Sequence, residues 1–150
     1  LISEAFLGDD PFVMYLGDNL LKEGIAPFVH TFEQNDPDAL ILLQKVSDPE
    51  SYGVAELEGG TVVRLVAKPP EPRSDLALVG VYMFTSTIFD AARAIEPSPR
   101  GELEITDAIQ YLVDQGKNVE FACGMRTRSG AVQRFRQKQK AVLPLCVASA

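Results

Sequence analysis

Short apolar runs alternate with segments of helical periodicity over residues 12–122, and this alternation restricts the fold more than any other feature of the sequence. Apolar runs of about four to eight residues between turn-forming residues are typical of strands. The predicted strands are Phe12–Leu16, Ala39–Val46, Val54–Leu57, Thr61–Val66, Leu76–Phe84 and Asn118–Ala122, and the first two are expected to be buried. Strands separated by helices predict an α/β fold with a sheet that is at least partly parallel.

Three helices are predicted between these strands. The first has apolar residues at positions 25, 28, 29 and 32 and ends at Asp36-Pro37. The second begins with Thr87 and Asp90 as a capping pair, and the third covers Ile105–Gln115 with Gly116 as its stop.

Glycines divide the strand pattern at three places. Glu58-Gly59-Gly60 lies between two predicted strands and suits a hairpin turn. Gly53 and Gly80 lie within strand patterns, where glycine marks a bulge or the close approach of a ligand, or serves packing.

The charge distribution changes abruptly near residue 122. All 21 acidic residues lie in residues 1–122 with 8 of the 14 basic ones, whereas residues 123–150 carry six basic residues and no acidic residue. We therefore expect a domain over 1–122, with a charge of −13, and a basic tail over 123–150. Cys123 and Cys146 have neither a disulfide-framework nor a zinc spacing, and no apolar run approaches the ~20 residues of a membrane helix. A cytoplasmic protein without a membrane partner is expected.

The segment Leu16-Gly17-Asp18-Asn19 directly follows the first predicted strand. Ligands in open α/β sheets bind beyond the carboxyl ends of strands, and an aspartate is a hard oxygen ligand suited to Mg²⁺. Asp18 is therefore a candidate metal ligand, and an ordinary turn is the alternative.

Lys68 ends the strand that begins at Thr61 and precedes Pro69-Pro70. A lysine at a strand end is a mobile point charge that can meet a phosphate, and a solvated surface lysine is the alternative. Glu102 and Glu104 fit either a glycosidase carboxylate pair or acids near a helix N-terminus, where negative charge is favourable. The second interpretation is preferred.

Five motifs occur together in the order and spacing of one family. They are Leu16-Gly17-Asp18-Asn19, Tyr52-Gly53-Val54, Lys68-Pro69, Leu78–Tyr82 and Gly101–Asp107. Over residues 1–122 the sequence resembles the sugar-1-phosphate nucleotidyltransferases, and within them the members that transfer a thymidylyl group to glucose 1-phosphate. The resemblance implies a Rossmann-like α/β nucleotidyltransferase sheet. It also implies an enzyme that joins dTTP or UTP to glucose 1-phosphate and releases pyrophosphate.

The resemblance implies roles for individual residues. Asp18 would bind Mg²⁺, and Lys68 would contact the sugar phosphate. The substrate-binding residues would be Asn19, Tyr52, Gly53, Lys68, Leu78 and Gly80. In-line transfer at phosphorus needs positioning and charge neutralisation rather than a protein nucleophile, which agrees with this set.

Three departures from the family pattern accompany the resemblance. The glycine-rich phosphate loop belongs upstream of Leu1, so we expect an N-terminally truncated sheet with an unpaired apolar edge that favours self-association. Ala67 stands where the family has a glutamate that hydrogen-bonds the sugar. In place of an aromatic-x-Asp-Thr-Gly segment with a second metal carboxylate, residues 123–130 contain no acid, which suggests a changed reading frame or a fusion.

The sequence therefore predicts the sugar-phosphate half of a nucleotidyltransferase, inactive as this fragment, with a homo-oligomer implied by the family. A non-catalytic sugar-phosphate or nucleotide-sugar binding module, or a remnant of one, is the alternative. A third interpretation makes the basic tail a nucleic-acid arm, but the acidic body would repel a polyanion. No nucleic-acid partner is expected.

Overall fold

The computed structural model describes residues 1–17, 19, 21, 24–99 and 101–123. They form six strands and four helices. The strands are β1 (Phe12–Tyr15), β2 (Ala39–Lys45), β3 (Gly53–Glu58), β4 (Thr61–Ala67), β5 (Leu76–Phe84) and β6 (Val119–Cys123). The helices are α1 (Glu4–Leu7), α2 (Ala26–Asn35), α3 (Thr87–Ala94) and α4 (Ile105–Asp114), and a 3₁₀ turn covers Pro49–Ser51. The strands β3, β4 and β5 are consecutive in the chain, and α3 is followed directly by α4.

The six strands form one mixed sheet in the order β4-β3-β5-β2-β6, with β1 also paired to β5. Only β2 and β6 are parallel neighbours, and the other pairs of described strands are antiparallel. The expectation of a partly parallel α/β sheet is confirmed.

Helices cover both faces of this sheet, because its central strands are apolar on both sides. One core cluster joins the sheet to α3 and α4 and includes Ile41, Tyr82 and Ile109. A second cluster joins the other face to α2 through Phe28 and Phe32. β2 is consequently buried along residues 39–43, as predicted. The result is a three-layer arrangement, with the sheet between α3 and α4 on one face and α2 on the other.

Local signals in the sequence agree with several element boundaries. Gly59 and Gly60 both have positive φ, at 57° and 82°, and connect β3 to β4. Asp36 ends α2 in the left-handed conformation. After α4, Gly116 has a φ of 70°, and the next amide, that of Lys117, donates to the Leu112 carbonyl at 3.0 Å. This bond, with the left-handed glycine before it, is the mark of a Schellman C-cap.

Two predictions about local structure are wrong. β1 was expected to be buried, but Val13 and Tyr15 are 37% and 39% exposed and only their neighbours Phe12 and Met14 pack against the core. Within the described residues β1 pairs with β5 alone, so its apolar composition belongs to an edge strand. The predicted capping pair also fails, because Thr87 already lies inside α3 and no side chain caps that helix.

The last strand extends to Cys123, one residue beyond the expected domain boundary, and residues 124–150 of the predicted tail lie outside the described residues. The longest helices in the described part of the chain have ten residues, and none there has the length and hydropathy of a membrane span.

Candidate functional site

Most of the predicted site residues lie near one another, beside a gap between two strands that pair with the same edge of β5. β2 occupies one edge of β5 along its length, so β1 and β3 must share the other edge. β1 reaches from Phe84 to Val81, and β3 pairs at Ala77. The carboxyl end of β1 therefore faces the start of β3 across the segment 78–80, which contains the predicted site residues Leu78 and Gly80.

Gly80 lies at the β1 side of this gap and is buried. Its φ is 67°, and between Tyr82 and Leu78 β5 has four residue steps where β2 has only two, from Ile41 to Leu43. Glycine in the left-handed conformation is typical of such a bulge. The bulge interpretation of Gly80 is confirmed.

The loop after β1 lies directly against Gly80. A Cβ at position 80 would lie 2.6 Å from Asn19 Nδ2 and 2.8 Å from Leu16 Cδ1. The Leu16 amide donates to the Gly80 carbonyl at 2.9 Å. The close approach is thus made by the chain itself, and it brings Asn19 and Gly80 together. Asp18, the candidate metal ligand, lies outside the described residues.

Gly53 is needed for a second close approach, at the β3 side of the gap. A Cβ there would lie 2.8 Å from Thr106 Oγ1 and 3.3 Å from Leu78 Cδ1. The structure therefore brings Gly53 and Leu78 together and adds Thr106, at the start of α4, which the sequence interpretation missed. Its signal was present in the motif Gly101–Asp107, where only the acids had been considered.

Thr106 is the polar residue of this group and is only 6% exposed. Its hydroxyl oxygen faces Gly53, 2.8 Å from where a Cβ at position 53 would lie. A hydroxyl both donates and accepts, so its chemistry suits a ligand hydroxyl.

Tyr52 and Lys68 meet at the same end of β3. The Lys68 amide donates to the Tyr52 carbonyl at 2.9 Å, and Ala67, which ends β4, pairs with Gly53. Lys68 has a φ of 44°, a conformation that costs a non-glycine residue about 1–3 kcal/mol and that concentrates at functional sites. Both side chains are exposed.

This backbone turn at Lys68 also changes the direction of the chain. Ala67 lies on the same face of β4 as Leu65, toward α4, and neighbouring side chains of a regular strand point to opposite faces. Because the strand ends at Ala67 and the next residue has a left-handed backbone, the strand alternation does not force the side chains of Ala67 and Lys68 onto opposite faces.

The acids at the start of α4 have a supporting role. The Ser98 hydroxyl donates to Glu104 Oε1 at 3.0 Å, which connects the preceding loop to the helix start. Burial and, to a smaller extent, the Glu104 carboxylate raise the pKa of Asp107. Among the described residues, no group of three or more histidine, cysteine or acidic side chains is arranged to hold a metal ion.

Comparison with known protein families identifies the class of protein to which the chain belongs. The profile of the nucleotidyl transferase family matches residues 1–127, and the chain is a member of that family. The resemblance deduced from the motifs and the predicted nucleotidyltransferase fold are confirmed.

Particular relatives make the comparison more specific. The chain is 59% identical over 122 residues to a glucose-1-phosphate thymidylyltransferase of Streptomyces antibioticus, a match that covers 80% of this chain and 34% of the relative. It is 35% identical over 115 residues to the UTP--glucose-1-phosphate uridylyltransferase AglF of Haloferax volcanii, with coverages of 75% and 47%.

A solved structure gives a similar result. A Bacillus anthracis protein assigned as a glucose-1-phosphate thymidylyltransferase and solved with sucrose matches with a TM-score of 0.73 and 37% identity, over 81% of this chain and 49% of that one. The chain thus spans about a third to a half of the length of the proteins it matches.

Proposed function

We propose that this chain supplies the sugar-1-phosphate side of a nucleotidyltransferase site, in a reaction that transfers the nucleotidyl group of dTTP or UTP to glucose 1-phosphate. The observation that carries the proposal is the gap beside β5. Asn19 with Gly80, and Gly53 with Leu78, lie along one short segment of that strand. The names of the relatives support the substrate class, since a thymidylyltransferase and a uridylyltransferase, both of glucose 1-phosphate, occur among them.

In this reaction a phosphate oxygen of glucose 1-phosphate attacks the α-phosphorus of the nucleotide. A new P–O bond forms as the bond to the β-phosphate oxygen breaks, and pyrophosphate leaves with its electron pair. No covalent enzyme intermediate is required, so the protein contributes orientation and charge neutralisation.

We assign the sugar phosphate to Lys68 and the sugar ring to the residues around Gly53. The exposed ammonium of Lys68 is a compact positive charge for the phosphate. The Thr106 Oγ1 is the atom nearest to where a Cβ of Gly53 would lie, and Tyr52 precedes Gly53 in the sequence. The absence of a side chain at Gly53 lets Thr106 and Leu78 approach its backbone, which places the Thr106 hydroxyl at this end of the gap.

Mg²⁺ is the cofactor that fits this proposal. It is commonly held by one or two carboxylates together with substrate phosphates, so a single aspartate such as Asp18 is a sufficient protein ligand. When bound it would neutralise charge that develops on the phosphate oxygens. Asn19, which follows Asp18 in the sequence and lies against Gly80, is proposed to contact substrate.

Binding and turnover test the proposal separately. Calorimetric titration of the 150-residue chain with glucose 1-phosphate in MgCl₂ should show binding, and Lys68→Ala should weaken it about tenfold, as expected for a hydrogen bond to a charged group. Lys45→Ala is the matched control, because Lys45 instead pairs with Asp75 at 3.3 Å. Equal effects of the two substitutions, or no binding by the wild type, would contradict the proposal.

Pyrophosphate release with dTTP or UTP then distinguishes an enzyme from a binding module. Release together with formation of a nucleotide sugar supports transfer by this chain. Binding without release supports the alternative of a non-catalytic sugar-phosphate module, in which the rest of the reaction site lies elsewhere.

A further inference from the structure

We infer that Tyr15 is a positioning residue of this site and that its phenol holds Asn19 against Gly80. The inference rests on the proposed function, because it concerns the residue assigned there to substrate contact. Tyr15 itself is not part of the site: it ends β1, on the face opposite to the one that Phe12 and Met14 bury against the α3 and α4 cluster.

The Tyr15 hydroxyl connects two backbone groups of the loop after β1. It donates to the Asn19 carbonyl and accepts from the Leu21 amide, each at 3.3 Å. A hydroxyl carries one donor and two acceptor positions, so both bonds are compatible. One oxygen atom at the end of the strand therefore fixes the main chain of the loop at two places.

Other contacts set where this loop lies. The Leu16 amide donates to the Gly80 carbonyl at 2.9 Å, which fixes the beginning of the loop on β5. The Asn19 amide and Asn19 Nδ2 both donate to the Leu16 carbonyl, at 3.2 and 3.3 Å. The side chain of Leu21 packs against the α2 cluster. Tyr15 is connected to both attachments, because it precedes Leu16 in the chain and its hydroxyl accepts from the Leu21 amide.

The Asn19 side chain lies directly against Gly80. Its Nδ2 is 2.6 Å from where a Cβ at position 80 would lie, a space that glycine leaves open. A shift of the Asn19 carbonyl therefore moves the side-chain amide relative to Gly80.

Tyr15→Phe removes this connection and keeps the ring. Tyr15 is 39% exposed, so water can replace the lost partners and the fold is expected to persist. A typical hydrogen bond corresponds to a factor of about three to ten in an equilibrium constant. We therefore expect Tyr15→Phe to weaken glucose 1-phosphate binding, in the presence of MgCl₂, by about three- to tenfold.

A double-mutant cycle tests whether Tyr15 acts through Asn19. Calorimetry compares the wild type, Tyr15→Phe, Asn19→Ala and the double variant of the 150-residue chain. If Tyr15 only positions the Asn19 side chain, the double variant binds as weakly as Asn19→Ala and no weaker. Tyr111→Phe, in a half-buried tyrosine of α4, is the control and should bind as the wild type does.

Hydrogen exchange provides a readout that does not depend on ligand. The Leu21 amide should exchange faster in Tyr15→Phe, whereas the Leu16 amide, bonded to Gly80, should not change. Faster exchange with unchanged binding would overturn the positioning role, as would additive losses in the cycle. A wild type that binds no glucose 1-phosphate would refute the proposed function, and unchanged Leu21 exchange would then refute the Tyr15 connection as well.

Discussion

Gly53→Ala is expected to destabilise the fold through one identified contact. The added Cβ would lie 2.8 Å from Thr106 Oγ1 and 3.3 Å from Leu78 Cδ1. The Leu78 methyl is the end of a flexible side chain and can move. Thr106 is branched at Cβ and lies in the first turn of α4, where few rotamers are available, so it cannot yield as easily.

The expected magnitude follows from two opposing contributions. Insertion of a methyl group into a packed site costs about 1–3 kcal/mol, and replacing a glycine within a strand recovers about 0.5–1 kcal/mol. The free energy of unfolding should therefore fall by about 1 kcal/mol, and by no more than about 2.5 kcal/mol. For a chain of 150 residues, 1 kcal/mol corresponds to a Tm lower by roughly 2–4 °C.

Urea denaturation of a double-mutant cycle with Thr106→Ala measures the contact itself. Thr106→Ala removes the oxygen that the new Cβ would meet, so Gly53→Ala should cost almost nothing in that background. Gly59→Ala is the control: Gly59 has a φ of 57° and no atom near its missing Cβ, so its cost comes from the backbone and should be the same in both backgrounds. An equal cost of Gly53→Ala with and without Thr106 would refute the reasoning.

Three further predictions concern the site, the sheet edge and the core. Ala67→Glu should tighten glucose 1-phosphate binding about tenfold, because a carboxylate on the α4 face of β4 can accept a sugar hydroxyl; calorimetry that shows no gain would contradict this geometry. The exposed apolar edge of β1 should cause self-association at micromolar concentration, and Val13→Lys should shift sedimentation toward the monomer; a wild type that sediments as a clean monomer would argue against it. Burial raises the pKa of Tyr82 to about 12, opposed by a Gly80 backbone hydrogen bond. The folded state holds this proton more tightly than the unfolded state, whose tyrosine has a pKa near 10. The proton's contribution to the stability of the folded state is therefore complete below pH 10 and is lost between pH 10 and 12. Tyr82→Phe should make denaturation midpoints less sensitive to pH in that window, and an unchanged dependence would show that another group is responsible.

Signals that act over a few residues predicted the fold well. The ends of α2 and α4 and the β3–β4 hairpin depend on residues that adopt positive φ, namely Asp36, Gly116, Gly59 and Gly60. Such residues can be recognised without knowledge of what packs against them. The exposure of β1 could not be predicted from its composition, because an apolar run at the edge of a sheet has the same composition as a buried one. The expectation of an unpaired apolar edge came from the family resemblance instead.

For the site as well, local signals predicted individual residues but not their partners. Gly53 and Gly80 indicated close approaches, but their partners Thr106 and Asn19 lie 53 and 61 residues away along the chain. Which residues meet depends on β5 running antiparallel to β2 on one edge and to β1 and β3 on the other, a tertiary arrangement that no local pattern specifies. The left-handed backbone of Lys68 likewise has no marker in its residue type.

The central place of β5 has a consequence for how the chain folds. The β3–β4 hairpin closes over two residues and can form early, but β1 and β2 have no partner among the described strands until β5 has been synthesised. Pairing between segments so distant in sequence is slow, because the intervening chain must first be closed into loops. The gap between β1 and β3 comes into existence only when β5 docks beside both. Acquisition of ligand binding during refolding should therefore coincide with the arrival of this one strand, after the hairpin and the isolated helices have formed.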